Sequence, residues 1–246
     1  MRVEGKTATH LNAAGFRSER DDVFGRIAGR YDLLCDLFSV GMHRLWKRGM
    51  ARRMSRHPGE VVLDVASGTG DIPLRLARRG GRPRELMVTD ISDNMLAMAR
   101  RKLESCGVNL SFRILDAENL VELPDGSVDV YSISFGMKIC DRARVVREAM
   151  RVLKPGGRFY CLEAARIPAR WLHAVYLAYM SWCMPLIGRI ATGGDASAYL
   201  YLLRGVREFP DQREFAGELR DAGFADVGWR NMTLGIVALH EGRKPG

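Results

Sequence analysis

The stretch VVLDVASGTGD (residues 61–71) begins as a short apolar run and ends in a turn that carries two glycines. Leucines at helical spacing follow over residues 71–79, so the stretch predicts a strand, a tight turn and a helix. In an open parallel sheet such a turn lies at the carboxyl end of the strand, where these sheets bind their ligands. Gly68 and Gly70 lack a Cβ atom, so the backbone there can approach a ligand closely.

Strand-like and helical patterns alternate along the rest of the chain. Lys154-Pro155-Gly156-Gly157 is expected to end one helix and to turn the chain into the next strand. The patterns predict strands at 86–90, 111–115, 128–135 and 158–163, helices at 93–105 (capped by Asp93), 141–153 and 211–222, helical insertions at 171–203, and a closing hairpin at 226–240. This alternation is typical of an α/β, doubly wound, Rossmann-like fold with a mostly parallel sheet and a C-terminal antiparallel hairpin.

Composition restricts the class of protein. The 246 residues are 47% apolar and 27% charged, which predicts a globular protein with a large core. The five cysteines are odd in number and form no CxxC pair, so we expect reduced thiols, a cytoplasmic location and no metal site. The net charge of +9 comes mainly from scattered arginines, and its densest stretch, residues 44–56 beside Trp46, would suit an anionic membrane surface.

Two segments bear on domain organisation. Residues 1–22 are polar and predict a flexible arm, which leaves 23–246 as a single domain. Residues 171–187 are apolar but short for a bilayer-spanning helix, and they contain Ser181 and Pro185. We therefore expect a buried or interfacial helix there.

Aspartates mark the predicted strand ends. Asp64 and Asp71 flank the glycine turn, and carboxylates favour a sulfonium or ammonium ligand over a phosphate. Asp90 closes the second strand about twenty residues later, where a carboxylate can accept hydrogen bonds from ribose hydroxyls. Asp116, with Ala117, follows the third strand, and its side chain can accept a bond from an adenine amino group. Together these residues predict an S-adenosylmethionine site, in which we include Ile91.

More specific motifs extend over nearly the whole chain, from about Val23 to Lys244. They comprise Val23-Phe24 through Tyr31-Asp32, SVGMHRLWKR (39–48), LDVASGTGD (63–71), Ser134-Phe135-Gly136, RVLKPGGR (151–158), Gly194-Asp195 with Tyr199 and Tyr201, Phe209-Pro210 and GIVALHEG (235–242). In these motifs the sequence resembles the ubiquinone/menaquinone-biosynthesis C-methyltransferase family.

The resemblance implies a class I methyltransferase with a seven-stranded sheet that methylates a ring carbon of a lipophilic, polyprenylated quinol. By this likeness the cofactor contacts fall on Thr69, Asp90, Asp116, Ala117 and Ser134. Residues 23–57 and 171–205 are expected to form helical lid or substrate-binding elements. We expect a protein bound peripherally at the inner face of a membrane, without a nucleic-acid partner, and a homodimer is compatible with the likeness.

The chain departs from the family after Phe135-Gly136. Lys138 and Ile139 stand where the family has arginine and asparagine, and a desolvated lysine can act as a base whereas arginine stays protonated. The catalytic candidates are Lys138, Tyr31, Asp32 and Asp195, with His43, Asp141, Tyr199 and Tyr201 as further ones. Two alternatives stay open: methylation of another small aromatic or lipid-like acceptor, and a nucleic-acid-binding protein with a methyltransferase fold.

Overall fold

The computed structural model describes residues 32–56, 60–79, 83–192 and 197–246. The predicted arm at 1–22 and two catalytic candidates, Tyr31 and Asp195, lie outside these ranges. So do parts of both predicted lid segments, at 23–31, 57 and 193–196.

A single sheet organises the described residues. Its strands are β1 (Val61–Val65), β2 (Glu85–Asp90), β3 (Leu110–Ile114), β4 (Val128–Ser134), β5 (Leu153–Ala164), β6 (Ala225–Met232) and β7 (Val237–Arg243). Within the described ranges the sheet has seven strands in the order β3-β2-β1-β4-β5-β7-β6. Strands β1 to β5 pair in parallel, and β7 runs antiparallel to both β5 and β6. The predicted fold class is confirmed.

Helices cover both faces of the sheet. They are α1 (32–39), α2 (Met42–Met54), α3 (Asp71–Arg78), α4 (Asp93–Leu103), α5 (Arg142–Val152), α6 (Arg170–Thr192), α7 (Ser197–Glu208) and α8 (Gln212–Asp221), with short 3-10 turns at Met137–Ile139 and Thr233–Gly235. All five residues of β1 are buried, as a central parallel strand covered on both sides requires. One core cluster contains residues of α5 and α8, and a second contains residues of α2, α3 and α4.

Two local predictions differ from the structure. Strand β5 begins at Leu153, directly after α5, and the Pro155-Gly156-Gly157 segment forms an irregularity inside the strand rather than a turn before it. Ser92, not Asp93, caps α4, because its hydroxyl accepts the Met95 N–H. The helical insertions predicted at 171–203 are the two helices α6 and α7.

Tyr131 carries a buried hydroxyl that generates a test of the core. Its ring stacks on Phe159 at 5.6 Å between centroids, but within the described residues its hydroxyl has no hydrogen-bond partner. An unpaired buried hydroxyl costs about 1–3 kcal/mol, so Tyr131→Phe should raise the free energy of unfolding by about 1 kcal/mol in urea denaturation. The control is Tyr160→Phe, which removes a bond to Arg158 and should lower it. Equal losses in the two variants would contradict the assignment.

Candidate active site

The carboxyl ends of β1 and β4 meet where the strand order reverses, which is where doubly wound sheets bind ligands. Both strands are followed by a non-glycine residue in the left-handed region, Ala66 at φ 47° and Phe135 at φ 58°. A Cβ placed on Gly136 would lie 2.6 Å from the Cβ of Ala66, so only glycine fits there. The loop after β4 therefore lies directly against the glycine loop (residues 66–70) after β1.

Two aspartates hold the glycine loop. Asp64 is buried, and its carboxylate accepts bonds from the hydroxyls of Ser132 at 2.5 Å and Ser67 at 2.7 Å. Burial raises the pKa of Asp64 to about 6 although both hydroxyls favour the ionised form. Asp90 accepts the N–H of Gly68 at 2.8 Å. Its other carboxylate oxygen accepts the N–H of Ser92 at 2.9 Å, so Asp90 also holds the start of the segment that follows β2.

The other predicted cofactor residues follow the neighbouring strand ends. Asp116 lies two residues beyond β3 and accepts the N–H of Glu118 at 2.9 Å, while Ala117 is buried. Ile91 follows β2 with 38% of its surface exposed, and Ser134 is the last residue of β4. The predicted cofactor-binding residues thus lie along one edge of four adjacent strands, β3, β2, β1 and β4.

Thr69 connects the glycine loop to α1. Its hydroxyl donates to Asp32 at 2.6 Å and accepts from the Lys102 ammonium at 2.9 Å, and Lys102 also pairs with Asp32 at 2.5 Å. Asp32, a predicted catalytic residue, is therefore placed at the glycine loop. Its contacts there fasten α1 to the loop.

Asp71, at the start of α3, is surrounded by cations. Its carboxylate lies 2.9 Å from Lys47, 3.3 Å from Lys102 and 3.2 Å from Arg75. Burial alone would raise the pKa of Asp71, but Lys47, Lys102 and Arg75 lower it overall. The sequence predicted that Asp71 attracts a cationic ligand, whereas the structure already pairs it with three cationic side chains of the protein.

An apolar cavity of about 430 Å³ lies beside the glycine loop. Trp46 anchors one wall, with its indole N–H donating to the Thr233 hydroxyl at 2.8 Å and its ring 6.2 Å from that of Phe135. Lys47 lines the cavity while its ammonium holds Asp71, so cavity and glycine loop share a side chain. Other lining residues are Leu34, Cys35, Phe38, Val40, Met42, Tyr176, Tyr179, Met180, Val206 and Ile236.

Lys138 lies in the wall of this apolar cavity, where a buried carboxylate holds it. Its ammonium is 3.0 Å from Glu163 Oε1 and donates to the carbonyl of Phe135, and its backbone N–H donates to Glu163 Oε2 at 3.1 Å. The side chain of Glu163 is fully buried. Sequence reasoning missed Glu163, although an acidic residue in the apolar run FYCLEA of β5 was a signal.

His43 lies in the same wall, and its contacts define its tautomer. Ser39 gives its one hydroxyl proton to the Cys35 carbonyl at 2.6 Å, so the 3.0 Å contact to His43 requires Nδ1 to donate to Ser39 Oγ. Nε2 is then the acceptor, and no described residue bonds to it. Burial, aided by Lys47, lowers the pKa of His43 to about 4, so the ring is neutral near pH 7.

Some predicted features are not brought together. Asp141 caps α5 by accepting the Arg144 N–H, and the side chains of Tyr199 and Tyr201 lie outside the described part.

Across the described ranges no cluster of His, Cys, Asp or Glu suits a metal ion. No helix in the described chain is long and apolar enough to cross a membrane. The acidic groups at the carboxyl ends of β1, β2 and β3 suit a cationic nucleoside such as S-adenosylmethionine.

Solved structures with this architecture include methyltransferases and one enzyme of different chemistry. A SAM-dependent methyltransferase from Thermotoga maritima superposes with a TM-score of 0.62 at 18% identity, covering 90% of this chain and 98% of that chain. The [4+2]-cyclase SpnF superposes with a TM-score of 0.66 at 17% identity, covering 93% and 96%. These likenesses show the fold but do not identify the reaction, which has to be inferred from the residues of the site.

Sequence relatives are closer. The chain is 44% identical over 225 residues to the ubiquinone/menaquinone biosynthesis C-methyltransferase UbiE of Acidiphilium cryptum, covering 90% of this chain and 88% of that protein. It is 43% identical over 229 residues to the protein of that name from Brucella anthropi, covering 91% and 86%. The model of the ubiE/COQ5 methyltransferase family matches residues 14–244. The chain therefore belongs to the ubiE/COQ5 methyltransferase family.

Proposed function

We propose that this chain is the S-adenosylmethionine-dependent C-methyltransferase that methylates a polyprenylated quinol precursor in ubiquinone or menaquinone biosynthesis. The observation that carries the proposal is the apolar cavity beside the glycine loop, with Lys138 and His43 in its wall. An apolar cavity suits the ring and tail of a lipophilic quinol, and two polar side chains suffice to orient its hydroxyl.

On the cofactor side, we assign the site to Asp64, Gly68, Thr69, Gly70, Asp90, Ile91, Asp116, Ala117 and Ser134. The bound cofactor supplies a methyl group on a positively charged sulfur. Asp64 provides a buried negative charge for the cationic part of the cofactor, and we assign the ribose hydroxyls to Asp90 from its place at the carboxyl end of β2. Because α1 is fastened to Thr69, Asp32 acts in holding the loop rather than in proton transfer.

On the acceptor side, a ring carbon becomes nucleophilic when the neighbouring hydroxyl loses its proton. We assign this proton to His43 Nε2, because His43 lines the cavity and its Nδ1 is committed to Ser39. The Lys138 ammonium, held by Glu163, stabilises the resulting phenolate. After methylation the proton on the ring carbon is released as the one net proton of the reaction, which restores the aromatic ring, and the proton taken by His43 returns to the ring oxygen. The apolar walls keep water from competing for the methyl group.

Tyr31 and Asp195 stay predictions as catalytic residues. We also propose that the protein works at the inner face of a membrane, to which its substrate partitions. The homodimer stays a prediction.

The direct test supplies the protein with methyl-labelled cofactor and a demethylated prenyl quinol. Label should appear on a ring carbon, and Lys138→Met should lower the rate about 100-fold or more by removing the charge that stabilises the phenolate. Lys154→Met, at the surface beside Asp129, is the matched control and should leave the rate unchanged. Label found only on oxygen, or on other small molecules, would overturn the proposal.

His43 is tested through the pH dependence of its loss. His43→Gln should lower kcat at pH 7, but by less than the roughly 100-fold typical of general bases, because a pKa of about 4 makes His43 a weak base. The deficit should shrink as the pH approaches about 10, where phenols ionise without a base. A deficit that is the same at every pH would assign His43 a packing role only.

Asp64 gives the cofactor site a pH dependence. With its pKa raised to about 6, the carboxyl group is mostly protonated at pH 5 and mostly ionised at pH 7. Calorimetry should therefore find about tenfold tighter binding of S-adenosylmethionine at pH 7 than at pH 5. Asp64→Asn should remove this dependence, and the exposed Asp221→Asn should preserve it. A wild-type affinity that does not change with pH would contradict the assignment.

A further inference from the structure

Helix α6 exposes a row of large apolar side chains, which we call the α6 stripe. Its members and their exposed fractions are Trp171 (72%), Val175 (58%), Tyr179 (43%), Trp182 (82%) and Leu186 (61%). At 100° per residue these positions fall within an arc of about 80° and extend over about 22 Å of the helix. No aspartate or glutamate occurs between Arg170 and Thr192. Contiguous exposed apolar surface of this kind marks an interaction site.

The apolar cavity opens along one flank of the stripe. Tyr176, Tyr179 and Met180 line the cavity from α6, and Tyr179 also belongs to the stripe. Val40, in the turn between α1 and α2, lines the cavity and is 80% exposed. The cavity therefore reaches the surface between this turn and the stripe, and a chain leaving it past Tyr179 emerges beside Trp182.

A basic pocket of about 550 Å³, the arginine pocket, lies along the other flank. It is lined by Arg166, Arg170 and Arg213 together with His173, Ala174, Leu177, Trp229 and Asn231. No carboxylate in the described part of the chain pairs with these three guanidinium groups. Asp211, in the same pocket, uses its carboxylate to accept the N–H groups of Arg213 and Glu214. Guanidinium groups suit phosphate oxygens.

These features fit a bilayer surface. Tryptophans on an amphipathic helix are enriched at the boundary between acyl chains and headgroups, and arginines beside them attract anionic lipid. The sequence had suggested the stretch at 44–56 with Trp46 for this role. Trp46 is only 8% exposed and faces the apolar cavity, so it cannot serve as the anchor.

We propose that the α6 stripe docks on an anionic phospholipid bilayer, with lipid phosphates in the arginine pocket and the cavity mouth facing the lipid. The proposal rests on the proposed function in one respect, that the acceptor is lipophilic. A quinol dissolved in the bilayer then enters the cavity past Tyr179 without passing through water.

Vesicle flotation tests the proposal with the full chain. The protein should float with vesicles of phosphatidylcholine and phosphatidylglycerol and much less with phosphatidylcholine alone, and salt should weaken the binding. Trp171→Ser with Trp182→Ser should weaken binding at least tenfold. Replacing Arg166, Arg170 and Arg213 by glutamine should reduce the preference for anionic vesicles by about fivefold per charge.

Control variants remove exposed apolar and basic side chains elsewhere on the surface. Val121→Ser removes an apolar side chain that is 76% exposed, and Arg78→Gln, Arg101→Gln and Arg113→Gln together remove three exposed arginines. Both control variants should bind vesicles as the unaltered protein does. Equal losses in the α6 and control variants would overturn the proposal, and so would a dimer in light scattering that the tryptophan substitutions dissociate, because a second copy would then cover the stripe.

Activity separates this proposal from the proposed function. With a short-tailed, water-soluble quinol the variant with Trp171→Ser and Trp182→Ser should keep full methyl transfer. With a prenyl quinol in anionic vesicles the same variant should lose most of its methyl transfer. Methyl transfer without vesicle binding would overturn the proposed docking surface but support the proposed function. Vesicle binding without methylation of any quinol would overturn the proposed function but support the docking surface.

Discussion

The contact between Gly136 and Ala66 is the constraint on which the rest of the site depends. It joins the loops after two neighbouring strands, and both loops reach it through a non-glycine residue in the left-handed region, Ala66 and Phe135. Each such residue costs about 1–3 kcal/mol, so the surrounding structure must enforce the geometry. As a result, the glycine loop lies on one side of this contact, and Lys138, two residues after Gly136, lies on the other.

The cofactor side and the cavity side of this contact carry opposite charges. The edge formed by β1, β2 and β3 carries Asp64, Asp90 and Asp116, whereas the apolar cavity is flanked by Lys47 and Lys138. The cations on the cavity side are each paired with an acid, Lys47 with Asp71 and Lys138 with Glu163. Buried charges are costly unless they are paired, so these acids let the ammonium groups lie in an apolar wall.

Much of the fold was predictable because its signals are local. The apolar run at Val61–Val65, the glycine turn and the alternation of strands with helices located β1 to β4 to within a residue or so. The missed features depend on distant partners. The extra residues of β5 pair with β4 and β7, and Glu163 gains its role only when β5 lies beside the turn that carries Lys138. The cofactor residues could be predicted because they all lie at one edge of the sheet. The role proposed for His43 could not, because it depends on a contact with Ser39 that only the structure shows.

The ion pair between Lys47 and Asp71 has a consequence for how this enzyme can change. Lys47 lines the apolar cavity to which we assign the acceptor, and its ammonium also fixes the first residue of α3, immediately after the glycine loop. If the cavity holds the acceptor, we expect that reshaping α2 for a different acceptor also changes the affinity for the methyl donor. Under this assignment, an evolutionary path that alters substrate range needs compensating substitutions at the cofactor site.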